Sequence, residues 1–171
     1  MGKLVFNSEL CTGCRACELA CSFKHERLFS PHLARIRVVR VDEEGIDVPT
    51  GCEQCEVAAC IAVCPVRAIY VDPETDGVII DYDRCIGCKE CMTACPFGAV
   101  HYNRAKGIFY KCDLCGGDPE CVKWCVTGGV QYITDLDTVL QLKRTKTAER
   151  ALRSIAEGAS AAGAAAKGGG V

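Results

Sequence analysis

The chain has 171 residues, 49% of them hydrophobic and only 6% aromatic, enough for one domain or two small ones. Its formal net charge is -2, which excludes a role resting on bulk electrostatic attraction to nucleic acid. Sixteen residues are cysteine, a content that suits a disulfide scaffold only in an oxidising compartment.

Nothing in the sequence signals export. Met1-Gly2-Lys3-Leu4-Val5-Phe6-Asn7 turns polar too soon for a signal peptide, and no apolar run approaches ~20 residues. The expectation is a cytoplasmic protein without a transmembrane segment, whose thiols hold metal.

Lys3 to Asn7 reads as a short strand, followed at once by Cys11-x2-Cys14-x2-Cys17-x3-Cys21. Ser22 stands where a proline would end the next turn, so the helix is expected to continue through Phe23-Lys24-His25-Glu26. Arg35 to Val41 is rich in β-branched residues, and Asp42-Glu43-Glu44-Gly45 turns the chain into Ile46-Asp47-Val48-Pro49, a hairpin. Its arginines read as a solvated strand face rather than a phosphate or partner site.

The second run is Cys52-x2-Cys55-x4-Cys60-x3-Cys64-Pro65. Ala68-Ile69-Tyr70-Val71 and Gly77-Val78-Ile79-Ile80 then flank Asp72 to Asp76 as a second hairpin, which leads into Cys85-x2-Cys88-x2-Cys91-x3-Cys95-Pro96. This third run has the ferredoxin spacing in which three close thiolates hold one iron-sulfur cube and the fourth reaches a second cube. Pro96 has no N-H to donate and ends the helical turn. Val5-Phe6-Asn7 before Cys11 matches Ile79-Ile80-Asp81 before Cys85 at an offset of 74, the mark of a duplicated module.

Residues 52–102 read as one two-cluster unit, closed by Ala99-Val100-His101-Tyr102 as its last strand. The fourth run, Cys112-x2-Cys115-x5-Cys121-x3-Cys125, precedes the strand Val130-Gln131-Tyr132-Ile133. If runs two and three pair, runs one and four must pair around them. The expected fold is α+β, with an inner dicluster unit (52–102) inserted in an outer one (1–34 and 103–134) and the hairpin 35–51 between. After this domain of residues 1–134 comes a helix at 135–157, with Leu136, Val139, Leu140, Leu152 and Ile155 on its apolar stripe and Thr134 as its cap. The tail 158–171 is almost all Ala and Gly and cannot bury a core.

Zinc is the chemical rival, because C-x2-C pairs also build four-thiolate zinc sites. Zinc sites usually take two cysteines from each of two loops, whereas every run here offers three and then a fourth at x3. Ligand exchange assigns Cys11, Cys14 and Cys17 with Cys125; Cys112, Cys115 and Cys121 with Cys21; Cys52, Cys55 and Cys60 with Cys95; and Cys85, Cys88 and Cys91 with Cys64. All sixteen cysteines are consumed by four 4Fe-4S clusters. No iron is left open to substrate, so no catalytic residue is expected and the clusters pass electrons in a row. Sixteen thiolates and four cores take the formal charge to about -10.

His25, His32 and His101 read as surface or packing residues, and Trp124 beside Cys125 as a shield from water. Gly116-Gly117 and Gly128-Gly129 lack the G-x-G-x-x-G of a dinucleotide site.

The four runs, over residues 3–133, resemble the four-cluster iron-sulfur subunits of the dimethyl sulfoxide reductase type. Within that group, C-T-G-C-R-A-C-E-L-A-C-S-F-K-H-E with Pro31 and Ala34-Arg35-Ile36-Arg37-Val38 looks most like the small polyferredoxins of tungsten aldehyde oxidoreductases or carbon monoxide dehydrogenases. The resemblance implies an electron-transfer subunit, not itself an enzyme. Its partner would be a tungsten or molybdenum catalytic subunit, with a flavoprotein or ferredoxin as further redox partner. The alternatives are a free or end-to-end self-assembling polyferredoxin, and a relay for carbon monoxide dehydrogenase, hydrogenase or formate dehydrogenase.

Overall fold

The computed structural model describes residues 2–135 and, beyond them, Thr138, Gln141, Arg144, Thr145 and Ala148. The chain divides after Thr134. Its first part is α+β, built from eight short strands and four short helices.

The strands pair as four separate antiparallel ribbons. β1 (Lys3–Phe6) pairs with β8 (Val130–Ile133), Phe6 opposite Val130, so the two ends of this part are tied together. β2 (Arg37–Val41) pairs with β3 (Ile46–Thr50), and β4 (Ile69–Val71) with β5 (Val78–Ile80), both as hairpins. The helices are α1 (Ala16–Glu26), α2 (Ala59–Ala62), α3 (Glu90–Ala94) and α4 (Glu120–Lys123); α1 packs on α4, and α2 on α3.

One ribbon has no counterpart in the sequence reading. β6 (His101–Asn103) pairs with β7 (Ile108–Tyr110), so the strand expected to close residues 52–102 turns instead into the approach to Cys112. Asn103 makes the turn. Its side-chain oxygen accepts the amides of Ala105 at 3.0 Å and Lys106 at 3.1 Å, and Gly107, at φ +68, takes the left-handed conformation that returns the chain. Tyr102 and Phe109 meet across the ribbon with ring centroids 4.8 Å apart. Asn103 is buried while Ala105 and Lys106 are exposed, so Asn103→Ala leaves their amides to water and is expected to destabilise the fold by about 0.5–1.5 kcal/mol. Urea unfolding of the holo protein checks this; an unchanged midpoint would refute it.

Two apolar cores sit among the cysteines. Leu4, Phe6, Ile36, Val38, Leu114 and Val130 surround Cys17, Cys21 and Cys121, while Ile69, Val78, Ile80, Val100 and Phe109 surround Cys91.

The arginines of 35–41 divide. Arg40 pairs at the surface with Asp42 and Asp47, as a solvated face would. Arg35 is buried against Asp113, and Arg37 donates to the carbonyls of Pro31, His32, Ala34 and Ile36, so both pin the segment between α1 and β2.

In the second part, Thr138, Gln141, Arg144, Thr145 and Ala148 are helical. Asp135 rather than Thr134 supplies the cap, accepting the Thr138 amide at 2.8 Å. The remainder of the 135–157 stripe and the 158–171 tail lie outside the described residues. No helix among the described residues is long and apolar enough to cross a membrane.

Candidate metal centres

Each run forms the same local device. The residue just before its second cysteine is left-handed: Gly13 (φ +67), Gln54 (φ 46), Gly87 (φ +69) and Leu114 (φ 57). A left-handed residue in such a loop turns successive amides toward one point, a concavity that receives anions and iron-sulfur groups. Two of the four are not glycine, so side chains there accept backbone strain to keep the turn.

A helix follows each loop and carries the third cysteine: Cys17 in α1, Cys60 in α2, Cys91 in α3 and Cys121 in α4. The fourth cysteine lies four residues on, within α1 for Cys21 but just past the helix end for Cys64, Cys95 and Cys125. Cys60 and Cys64 line different cavities, as do Cys91 and Cys95. Each fourth sulfur also accepts a backbone amide: Cys21 from Arg35 at 3.2 Å, Cys64 from Ala68 at 3.2 Å, Cys95 from Ala99 at 3.4 Å and Cys125 from Val130 at 3.3 Å. Such bonds favour the charged thiolate.

Twelve of the cysteines gather in three sets of three plus one. Cys52, Cys55, Cys60 and Cys95 line one cavity; Cys64, Cys85, Cys88 and Cys91 line a second; Cys21, Cys112, Cys115 and Cys121 line a third, which also touches Cys52. Cys11 and Cys125 pack on the core that holds Cys17 and add their charge to its surroundings, while Cys14 stands exposed on the same loop. All sixteen cysteines are free of disulfides, and only Cys14 and Cys88 are exposed.

Burial dominates the chemistry of these thiols. It pushes Cys17 and Cys112 up to about 12 and Cys91 and Cys115 up to about 11, with neighbouring cysteines adding to it at all four. Cys121 rises further, driven by burial and then by Cys112, Cys21, Cys115 and Cys17. Cys125 is the exception: burial raises it, but the amides of Val130, Gly129 and Thr127 and the Thr127 hydroxyl outweigh that, and its net shift is downward. Soft sulfur donors that stay protonated at neutral pH become thiolates when a metal displaces the protons. A set of four fits an iron-sulfur cube by donor type and number, and the three-plus-one origin is unlike the two-plus-two of structural zinc.

A 4Fe-4S dicluster domain model matches residues 44–135, and a 4Fe-4S binding domain model matches residues 8–24. The protein belongs to the 4Fe-4S dicluster family. Among its relatives is the polyferredoxin-like subunit of aliphatic sulfonate oxidoreductase from Pyrococcus furiosus, 40% identical over 64% of this chain and 62% of that protein. One subunit of the anaerobic dimethyl sulfoxide reductase of Escherichia coli is 36% identical over 62% and 57%, and formate hydrogenlyase subunit 2 of the same species is 38% identical over 60% and 49%. The match thus spans roughly half to three fifths of these relatives' length. A chain of the active site complex BamBC of benzoyl coenzyme A reductase aligns at 28% identity over 78% of this chain and 75% of that one, with a TM-score of 0.46.

Around the sulfurs of this 4Fe-4S protein the structure adds residues that spacing alone does not mark. His25 lies with Nε2 3.6 Å from Cys115 Sγ and 3.5 Å from the Asp113 carboxylate, which is also bound by Arg35. His25, Asp113 and Cys115 come close enough to hold an ion, but Cys115 lines the third cavity, so the trio is part of that site. Burial, then Arg35, lowers the His25 pKa. His101 falls to about 4 through burial and then Arg37 and His32. Trp124, read as a shield, is 54% exposed, and its neighbour Val126 is 90% exposed.

Proposed function

We propose that this chain is the electron-transfer subunit of an oxidoreductase complex and holds four 4Fe-4S clusters. Its ligand sets are Cys11, Cys14, Cys17 and Cys125; Cys112, Cys115, Cys121 and Cys21; Cys52, Cys55, Cys60 and Cys95; and Cys85, Cys88, Cys91 and Cys64. The observation that carries the reading is the composition of the three cavities, each lined by three cysteines of one run and a fourth from another, with Cys52 also at the edge of the third. The same exchange supports two nested dicluster units, the outer closed by the β1–β8 ribbon.

When bound, each cluster supplies a one-electron couple and, with four thiolates, no open iron for substrate. The chain's own residues do the rest. The apolar cores keep water from the sulfurs, the left-handed loops aim amides at them, and the shared edges fix an order. Cys17 and Cys121 share one core, Cys52 touches the cavity of Cys112, and Cys60 packs on the core that holds Cys91, so the sets run first–fourth, fourth–first, second–third, third–second. Cys14 and Cys88, the exposed cysteines, belong to the two ends of that order. Charge enters and leaves there, next to exposed apolar residues: Leu10 and Trp124 at one end, Ile86 at the other.

The catalytic partner is a tungsten or molybdenum subunit, of the aldehyde oxidoreductase kind suggested by the first run with Pro31 and residues 34–38. The aliphatic sulfonate oxidoreductase, dimethyl sulfoxide reductase and formate hydrogenlyase names of the relatives support an oxidoreductase complex in general. Anaerobic purification by a tag on this chain, with Fe, Zn, W and Mo measured on the intact assembly, is expected to give about sixteen irons per chain and a co-purifying large subunit with tungsten or molybdenum. Iron alone at that level, in a monomer or a homopolymer, would refute the complex. Zinc in place of iron would refute the clusters.

A further inference from the structure

Lys111 stands directly before Cys112 and is 3% exposed. Its ammonium donates to the carbonyl of Val78 and, at 3.1 Å, to that of Cys112, and its side chain lines the cavity of Cys52, Cys55, Cys60 and Cys95. Gln54 seals the same spot: it accepts the Val78 amide at 2.7 Å and donates to the Cys112 carbonyl at 3.1 Å. Among the described residues no carboxylate pairs with Lys111, whereas the other buried lysine, Lys3, has Glu56 at 3.1 Å.

A buried cation held only by neutral carbonyls is costly unless an anion lies near. Once metal has displaced their protons, the neighbouring cysteine sulfurs supply those anions. Lys111 lines the cavity that holds Cys60 and directly precedes Cys112 in the chain. One of these thiols belongs to the set lined by Cys52 and the other to the set of Cys112, the two middle members of the row. Glu18, 1% exposed, adjoins Cys17 at one end of the row, accepts the Val38 amide at 2.8 Å and lies 4.0 Å from the Arg15 guanidinium.

We propose that Lys111 is the fixed counter-charge of the two middle cysteine sets and holds the clusters bound there at a higher potential than those at the ends. The inference rests on the ligand assignment above. Reduction takes one electron per cluster from an external reductant, makes the core one charge more negative, and requires no proton. A nearby cation favours that added charge, so the first two electrons settle in the middle of the row, away from the exposed ends.

The test is a dithionite titration of the holo protein, followed by electron paramagnetic resonance, on the wild type, Lys111→Met and Lys111→Arg. Cys55→Ser and Cys115→Ser, each altering one ligand, assign the two middle signals. In Lys111→Met the reduction equilibrium constants of the middle clusters are expected to fall at least tenfold, roughly 59 mV for one electron, with the end clusters unmoved. Lys111→Arg keeps the charge and should keep the wild-type order. Unshifted middle clusters in Lys111→Met, an equal shift of all four, or an arginine variant that behaves like the methionine one overturns the inference. The wild type decides independently of either variant's yield: end clusters that reduce before the middle pair overturn it. Iron well below sixteen per wild-type chain would overturn the assignment itself, whereas full loading with the wrong order overturns only the role of Lys111.

Discussion

Cys64→Ala is expected to empty the set of Cys85, Cys88 and Cys91 and to leave the set of Cys52, Cys55 and Cys60 loaded. Chain distance argues the opposite, since Cys64 belongs to the run of Cys52 and lies four residues after Cys60. The fold decides otherwise. Cys64 lines the cavity of Cys85, Cys88 and Cys91, and Cys95, from their own run, lines the cavity of Cys52. The substitution also removes the sulfur that accepts the Ala68 amide at 3.2 Å, so a neighbouring donor loses its partner as well. Bound iron should fall by about a quarter, from roughly sixteen to roughly twelve per chain, and one of four reducible signals should vanish. The matching change, Cys95→Ala, should remove a different signal. Loss from the first or fourth run in Cys64→Ala would sink the nested pairing, and loss from the Cys52 set would sink ligand exchange.

Much of this was legible because metal ligation is encoded locally. Four cysteines at x2, x2–x5 and x3 state a loop, a helical turn and two destinations, and the repeat at an offset of 74 states a duplication. The hairpins at 37–50 and 69–80 were legible from β-branched runs around Asp- and Gly-rich turns. β6–β7 was not. Its strands have three residues each, the turn depends on one buried Asn side chain, and the second strand runs into a ligand loop. Lys111, Glu18 and Gln54 were invisible for another reason. Composition marks such residues as solvent-facing, whereas the fold buries all three. Arg35 misleads in the same way, since its partner Asp113 is 78 residues away.

Removal of the clusters is expected to abolish cooperative folding of residues 1–134. Every ribbon in this part has two strands, and a lone two-stranded ribbon is marginal in water. Three of the four helices have four or five residues, far below the length at which a helix persists alone. Both apolar cores are completed by cysteines, so the clusters are the centre on which these pieces close. Structural metal binding contributes about 10–16 kcal/mol in small zinc domains, as large as the usual folding margin of about 5–15 kcal/mol. The apo chain should therefore lose its near-ultraviolet circular dichroism and its sharp melting transition, while the holo chain keeps both. Alkaline pH separates the two further. In any folded apo remnant, Cys17 and Cys112 sit at about 12 and Cys91 and Cys115 at about 11, against an ordinary 9.0. A thiol raised by burial contributes stability that is full below pH 9 and is lost as pH climbs through its folded value. Residual apo structure should thus fade between about pH 9 and 12, whereas in the holo protein these sulfurs are already thiolates and the same range leaves the fold in place. Circular dichroism of chelator-stripped and intact protein across that range makes the comparison. An apo chain that melts as sharply as the holo one, or that gains structure with rising pH, would show that the apolar cores alone hold the fold.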